Sequence, residues 1–551
     1  LPAAVLAGSD TPLHFHEQVD RLVEAPLGGK LAAPATDSEL CRRIWLDLIG
    51  RIPTAADARA YIDDPSPYKR VKLVDRLMQM PEFDRRLAVV FDLWLMERRP
   101  DQHVPRREWL EYLRRSFAAN KPYDQLVREI LEADGIDPAR RPAAKFYLDR
   151  GGEPNTITRD VGRVFLGRDL ACAQCHDHVY FDDYKQAHYQ GLLAFFGRSY
   201  LVVDRPSGPS LGEKAEGEVA YRSVFKKKVE HKTGPRLLDT AELPDVPIAK
   251  GAEYVVAPSD KTHAIPSASR RAKLAPLLTS GSIPEFDRAI TNRVWSLVMG
   301  RGLVHPFDFH HAENPPSHPE LLHLLATEFR ARKCDIKWLL RELVLTRTYA
   351  RASEPPSDWS ESDAAPERFS CAPLRPLTPE QIGWSVMQAT GVVQNYYANA
   401  ESSLFGSDSK LRDLVSLDRP RGRLKIELIE ERVDSQLSQS VQEFVTHYGR
   451  PPGQSQDSAD TTVQQALFLA NGGTIRSWLA PSGQLVGKLQ ALSDTGMLAD
   501  ELYLAVLTRR PTAEEQAEAK SYLESHKDKR VEAIQDLAWS LLSSTEFRFN
   551  H

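Results

Sequence analysis

The sequence predicts a mainly α protein: multi-helical N- and C-terminal domains, residues 1–199 and 269–551, with a small β-rich insertion with long loops at 200–268. Three observations predict it. Apolar residues recur at helical spacing through most of the first two hundred positions and again from about 269. Capping residues and glycine stops bracket those stretches. Between them, "EVAYRSVFKKKVEH" alternates and is rich in β-branched and aromatic residues, and "GPRLLDTAELPDVPIAKGAEYVVAPSD" is broken by Pro and Gly.

Taken in order, "SELCRRIWLDLIG" carries Leu40, Ile44, Leu46 and Leu48–Ile49 on an apolar stripe, and Gly50 stands where a left-handed cap is favoured. Thr54 is the expected N-cap of "PTAADARAYI", and Pro81 opens "PEFDRRLAVVFDLWLM". "RREWLEYLRRSF" and "YDQLVREILEADG" follow, then a helix over about 156–166 that stops at Gly167. Asp182 or Asp183 is the expected cap of the helix in "YKQAHYQGLLAFFGR". From 269 the helical segments are "FDRAITNRVWSLVMG", "HPELLHLLATEFRA", "DIKWLLRELVLTRTYA" and "PEQIGWSVMQATG". A polar loop is expected over 397–424, and helices resume with "ELIEERVDSQLSQSVQEFVTHYG" and continue to the end. The segment "RIPTAADARAYIDDPSPYKRV" is echoed by "RRPTAEEQAEAKSYLESHKDKRV", with "PEF" and "TEF" following each at similar distances. Shared cap chemistry and an ancient duplication both account for the echo.

The 551 residues carry 71 Lys plus Arg against 76 Asp plus Glu, a formal charge of −5 that gives no electrostatic reason to expect nucleic acid. No apolar run reaches the length of a membrane span, so no transmembrane segment is expected. The opening "LPAAVLAG" is too short for a signal sequence; it fits the residue of a cleaved one and an arbitrary start equally well. Five cysteines are too few for a disulfide scaffold, and Cys41, Cys334 and Cys371 stand singly.

The other two cysteines stand in "DLACAQCHDHVYFDDY". Cys172, Cys175 and His176 form Cys-x-x-Cys-His, the attachment motif of haem c: two thiols reach the two vinyl groups, and the next histidine supplies an axial nitrogen. One covalent haem per chain is therefore expected, with His176 on the iron. Tyr189, Leu192, Leu193 and Phe196 form an apolar stripe on the following helix, suited either to a haem pocket or to plain core. Arg163, Arg168 and Lys185 are candidates for the propionates. Three other readings of the pair compete. Zinc would need ligands less crowded than "CAQCHDH" provides. A thioredoxin-like pair would need a preceding strand. A disulfide across two residues would be strained.

His178 is tethered beside the same face as His176, so it is expected to hydrogen-bond nearby rather than cross the ring. A distal ligand must come from elsewhere: His318 first, held beside the capping pattern Ser317-x-x-Glu320, then His310 or His311. Met78, Met80, Met96, Met299 and Met387 fall in helical packing patterns. His305, Asp308, His310 and His311 in "GRGLVHPFDFHH", and "NRVW" with Arg301, are further polar candidates, each also explained as loop or packing residues. No Gly-rich phosphate loop or nucleophile elbow is present.

"VFLGRDLACAQCHDHVYFDDYKQAHYQGLLAFF", with "RRIWLDLIGRIPT" and "NKPYDQLVREIL", resembles the planctomycete cytochrome c-like proteins. "AITNRVWSLVMGRGLVHPFDFHHAENPPSHPELLHLLATEF", "DIKWLLRELVLTRTYARAS", "LTRRPTAEE" and "SSTEFRFNH" resemble the partner domain that accompanies them. The chain departs from the pattern at Val179-Tyr180, where Pro-Phe is usual, and in carrying His310-His311. The resemblance implies an exported, periplasmic protein and a link to carbohydrate breakdown. The expected function is oxidoreduction or electron transfer by a mono-haem c-type protein, with a redox partner protein and a carbohydrate substrate. Two alternatives stand: a periplasmic scaffold with a structural haem or metal, and a hydrolase using Asp308 and His318.

Overall fold

The structure is a computed structural model that describes residues 13–203, 208–225, 228–259, 262–406, 423–452, 468 and 472–551. Helices dominate: 22 α-helices among the described residues, with strands only in two-stranded pairs. The mainly α reading is correct. The insertion holds three short antiparallel hairpins, pairing Ser199–Val202 with Ser210–Glu213, Val219–Tyr221 with His231–Thr233, and Tyr254–Val256 with Ile265–Pro266.

Thr54 and Gly167 act as the expected caps, and Thr36 and Glu153 cap two further helices that the sequence reading left without one. Thr36 accepts from Glu39 N at 3.2 Å to start Asp37–Leu48, and Thr54 accepts from Asp57 N at 3.0 Å to start Ala55–Ile62. Helix Pro154–Leu166 is opened by the Glu153 carboxylate, which accepts from Asn155 N and Thr156 N, and ends at Gly167 with φ +65°. Three expectations need correction. Residues 397–405 belong to helix Val392–Phe405, and 407–422 lie outside the described residues. Here Val393 and Ala400 are buried against Arg423–Tyr448, so packing overrides a polar composition. Ser317 is not an N-cap: Pro319–Ala331 begins one position later, with His318 at the cap and no side-chain cap bond. The helix after the cysteine pair, Gln186–Phe196, is capped by neither Asp182 nor Asp183. Asp177 Oδ1, from the motif itself, accepts from Gln186 N at 2.9 Å.

One hydrophobic core runs from Phe15 to Phe369, crossing the insertion, and a second joins Leu46–Ala58 to residues 377–547. The first residues and the last are therefore built together. Arg42 and Arg43, on helix Asp37–Leu48, are both buried. Arg42 Nη2 donates to Phe547 O at 2.7 Å and Nη1 to Val506 O at 3.4 Å. Arg43 donates to the carbonyls of Tyr349, Arg351 (2.8 Å) and His551 (3.1 Å). Burial lowers the Arg42 pKa to about 10, which leaves it charged at neutral pH. These guanidinia satisfy carbonyls that no helix or sheet would reach.

The internal echo has a structural counterpart that goes beyond cap chemistry. Thr512 accepts from Glu515 N as Thr54 does from Asp57 N. Gly50 (φ +83°) and Thr508 (φ +63°) turn the chain through the left-handed region at matching positions. Arg51 pairs with Glu82 of "PEF" at 3.3 Å, and Arg509 pairs with Glu546 of "TEF" at 2.6 Å. Phe83 and Phe547, next in each triplet, are fully buried. The helices Ala55–Ile62 and Ala513–Ser525 both pack on Thr495–Leu507, joined by Arg59–Glu501 (2.7 Å) and Arg510–Asp63 (3.0 Å).

Replacing Arg42 with Met leaves the carbonyls of Val506 and Phe547 buried without donors. The expected loss is about 3 kcal/mol of unfolding free energy, measured by urea denaturation at pH 7. An unchanged midpoint would mean that water replaces the guanidinium at no cost.

Candidate functional site

The cysteine pair lies on a loop that the rest of the fold clamps on three sides. Behind it, Ala173 is fully buried, and the Gln174 carbonyl accepts from Gln190 Nε2 at 2.9 Å and Gln186 Nε2 at 3.4 Å. The loop's start is fixed by the segment preceding Pro319–Ala331: Asp169 N donates to Asp308 O and His310 N to Gly167 O, both at 2.9 Å. The insertion supplies the third side. Val224 N donates to Cys175 O at 3.1 Å, and the Phe225 ring lies 4.8 Å from the His176 ring.

With Ala173 anchored inward, the single 3₁₀ turn Cys172–Gln174 turns both thiols outward, and Cys172 and Cys175 are exposed. His176 is half-buried, and its Nδ1 lies 2.6 Å from the Asp177 carbonyl. A carbonyl only accepts, so Nδ1 is the donor in this contact, and in the neutral tautomer that matches it Nε2 carries the lone pair. Around them stand the exposed apolar side chains of Val179, Tyr180 and Phe225, 67%, 80% and 73% accessible. His178 Nδ1 accepts from the N–H groups of Tyr180 and Phe181 at 3.2 Å, so it fixes the turn as expected for a neighbouring histidine.

The remaining sequence candidates have other partners. Tyr189, Leu192 and Phe196 are core residues, Phe196 lying against Tyr147; the stripe packs the protein interior. Arg163 is bound by Glu97 through two contacts, by Asp160 at 3.3 Å and by Asp308 at 3.2 Å. Burial works against ionisation of Asp160, yet Arg150, Arg163 and Arg99 hold its pKa down at about 2. Asp308 is buried and also paired with Arg293; burial raises its carboxyl pKa against the pull of both arginines. Arg168 meets Asp183 and Glu285, each at 3.5 Å, and lies 5.8 Å from the Tyr184 ring centre.

The histidines separate. His318 is buried against Phe369 with Nδ1 3.1 Å from Ser317 Oγ; its Nε2 has no partner among the described residues. His310 and His311 are the ones that meet the motif loop. His311 stacks on Phe181 at 3.7 Å, and Phe181 stacks in turn on His178 at 4.0 Å, with Tyr184 edge-on. His310 packs against Gly167, where a Cβ would come within 2.9 Å of its ring. Burial first, then Arg293, Arg168 and Arg288, lower its pKa to about 3. Sequence reasoning missed Asp177 and Phe225. Asp177 was visible as a carboxylate before a helix, but it caps across nine residues rather than three. Among the described residues no cluster of three or more His, Cys, Asp or Glu side chains is arranged to hold a metal ion. No helix among them is long and apolar enough to cross a membrane.

These features define a mainly helical protein whose surface Cys-x-x-Cys-His turn is held at the junction of its two helical parts. Residues 18–200 match the family model PSCyt2, described as "Protein of unknown function (DUF1549)", and residues 270–523 match PSD1, described as "Protein of unknown function (DUF1553)". Their occurrence together on one chain is consistent with a planctomycete partner-domain pair. No curated protein and no solved structure matches.

Because the folded protein holds His310 neutral, the unfolded chain takes up the extra proton below pH 6.5. Stability is full above that pH and falls as pH drops toward about 3. The expected loss between about pH 7.5 and 5 is about 1–2 kcal/mol, allowing for a ring that is only half-buried. Denaturation of His310→Gln across the same range should show a flatter pH dependence; an identical slope would place the proton uptake elsewhere.

Proposed function

We propose that the chain is an exported haem c protein of oxidoreduction, with one haem joined to Cys172 and Cys175 and His176 as an iron ligand. The observation that carries this reading is the donor set. Two free, outward-facing thiols stand beside an imidazole whose Nδ1 proton is tied to a carbonyl, which leaves Nε2 as the ligating nitrogen. The exposed Val179, Tyr180 and Phe225 offer the apolar contact that a porphyrin face requires. When bound, the group would supply one-electron chemistry at iron. The chain's own part is to hold the turn rigid through Ala173 and Gln174, orient His176 through Asp177, and screen one side with Phe225.

Export follows from the same chemistry, since thioether formation needs reduced thiols and haem delivered outside the cytoplasm. His311 is the better candidate than His318 for a further histidine near the iron, because it contacts the motif loop through Phe181 and Tyr184. A redox partner and a carbohydrate substrate remain the partners implied by the resemblance. The hydrolase reading has no comparable support: Asp308 is enclosed by Arg163 and Arg293, while His318 contacts Ser317 and Phe369.

Protein produced in an export and haem-attachment competent host should exceed its polypeptide mass by one haem, with a Soret band that survives denaturation and acid–acetone extraction. Cys172→Ser with Cys175→Ser should abolish both. A bare polypeptide mass in the unsubstituted protein, with zinc found by elemental analysis, would sink the haem reading.

A further inference from the structure

The junction of the helical parts also holds a partly open cavity of about 330 Å³, within the size range of small-molecule sites. Six arginines line it: Arg86, Arg98, Arg293, Arg375, Arg450 and Arg548. Among the described residues only two carboxylates do so, Asp47 and Glu97, and both are already engaged. Asp47 accepts from Arg375 at 2.7 Å, Tyr349 at 2.8 Å and Asn550 at 3.0 Å, and Glu97 is held by Arg163. Glu380 and Asp308 neutralise Arg98 and Arg293 from behind.

Arg86 is different. It is 6% exposed, yet it makes no hydrogen bond or ion pair with any described residue, and its Nε is buried without a partner. The Nε of Arg548 is likewise buried and unpartnered. Burial lowers the Arg86 pKa to about 10, so the group remains a cation at neutral pH. Asp47 and Glu380 act on this guanidinium only through space, without a hydrogen bond or ion pair, so a buried charge with an unpartnered Nε is costly to the fold, and an anion on it would offset that cost. Val90, Leu93, Trp94 and Phe307 give the same cavity apolar walls, with room beyond a bare inorganic ion.

We propose that this cavity binds a small organic anion, its oxyanion group on Arg86 and its apolar or ring-shaped body against Trp94 and Phe307. The inference is independent of the haem reading. Planar bidentate recognition by arginine suits carboxylate, phosphate and sulfate alike.

The test is titration calorimetry of the full chain with benzoate, phenyl phosphate and phenyl sulfate, against benzyl alcohol and inorganic phosphate. At least one aromatic oxyanion should bind saturably, tenfold or more tighter than inorganic phosphate, with no binding of the alcohol; the three arms identify the preferred head group. Arg86→Met should weaken that binding at least tenfold and leave the unliganded thermal midpoint equal or higher, since an unpaired buried charge is removed. Leu374→Glu changes an exposed wall residue, 59% accessible, and should weaken binding by setting a like charge near the anion. Failure of all three oxyanions to bind, or equal affinity for inorganic phosphate, overturns the proposal. If unliganded Arg86→Met has a lowered midpoint or does not fold, Leu374→Glu decides: undiminished binding in it overturns the assignment.

Discussion

Asp308 fastens the molecule together. Its carboxylate lies between Arg163, on the helix that leads into the cysteine turn, and Arg293, on the helix of the other half. Its carbonyl accepts from Asp169 at the start of the motif loop. The buried Asp308 carboxylate is compensated by the buried Arg293 and the half-buried Arg163, and its removal would leave Arg293 without its carboxylate in low dielectric, whereas Arg163 would keep Glu97 and Asp160. Asp308 therefore ties the two halves to each other and to the loop carrying Cys172 and Cys175. The core running from Phe15 to Phe369 across the insertion has the same consequence for the apolar contacts.

This dependence explains why a surface turn is held so firmly. Loops that carry chemistry need a rigid base. Here the base is assembled from three segments distant in sequence: Gln186 and Gln190 beneath, residues 308–311 at one side, and Val224–Phe225 at the other. The histidine–phenylalanine–histidine stack formed by His178, Phe181 and His311 spans that seam. Each ring alone is an ordinary loop residue, and the arrangement exists only because the halves meet there.

The helices were legible because their signals are local: Thr54, Pro81, Gly167 and the apolar spacing act within a turn or two of chain. Local signals failed at Ser317, where His318 takes the cap, and over 397–405, where burial against Arg423–Tyr448 sustains a helix that composition disfavours. At the site, the sequence pointed to Cys172, Cys175 and His176 because their spacing is itself the chemistry. It assigned Arg163 and Phe196 by proximity along the chain, whereas the fold commits Arg163 to three carboxylates and Phe196 to the core. Arg86 gave a faint sign, one of two adjacent arginines inside an apolar-periodic helix, but its lack of a partner is a property of the fold alone. The echo between 51–71 and 509–531 was visible as letters; that both hairpins grip one helix was not.

The reach of Arg42 sets a timetable. Its acceptor at Phe547 is 505 residues downstream. At ribosomal rates of roughly 5–20 residues per second, about 25–100 s separate the emergence of the two. Through that interval the first helices lack the partners that let their arginines enter the interior, so the early chain must keep those charges hydrated and its apolar faces incompletely covered. The protein is thus built with high contact order at its very seam.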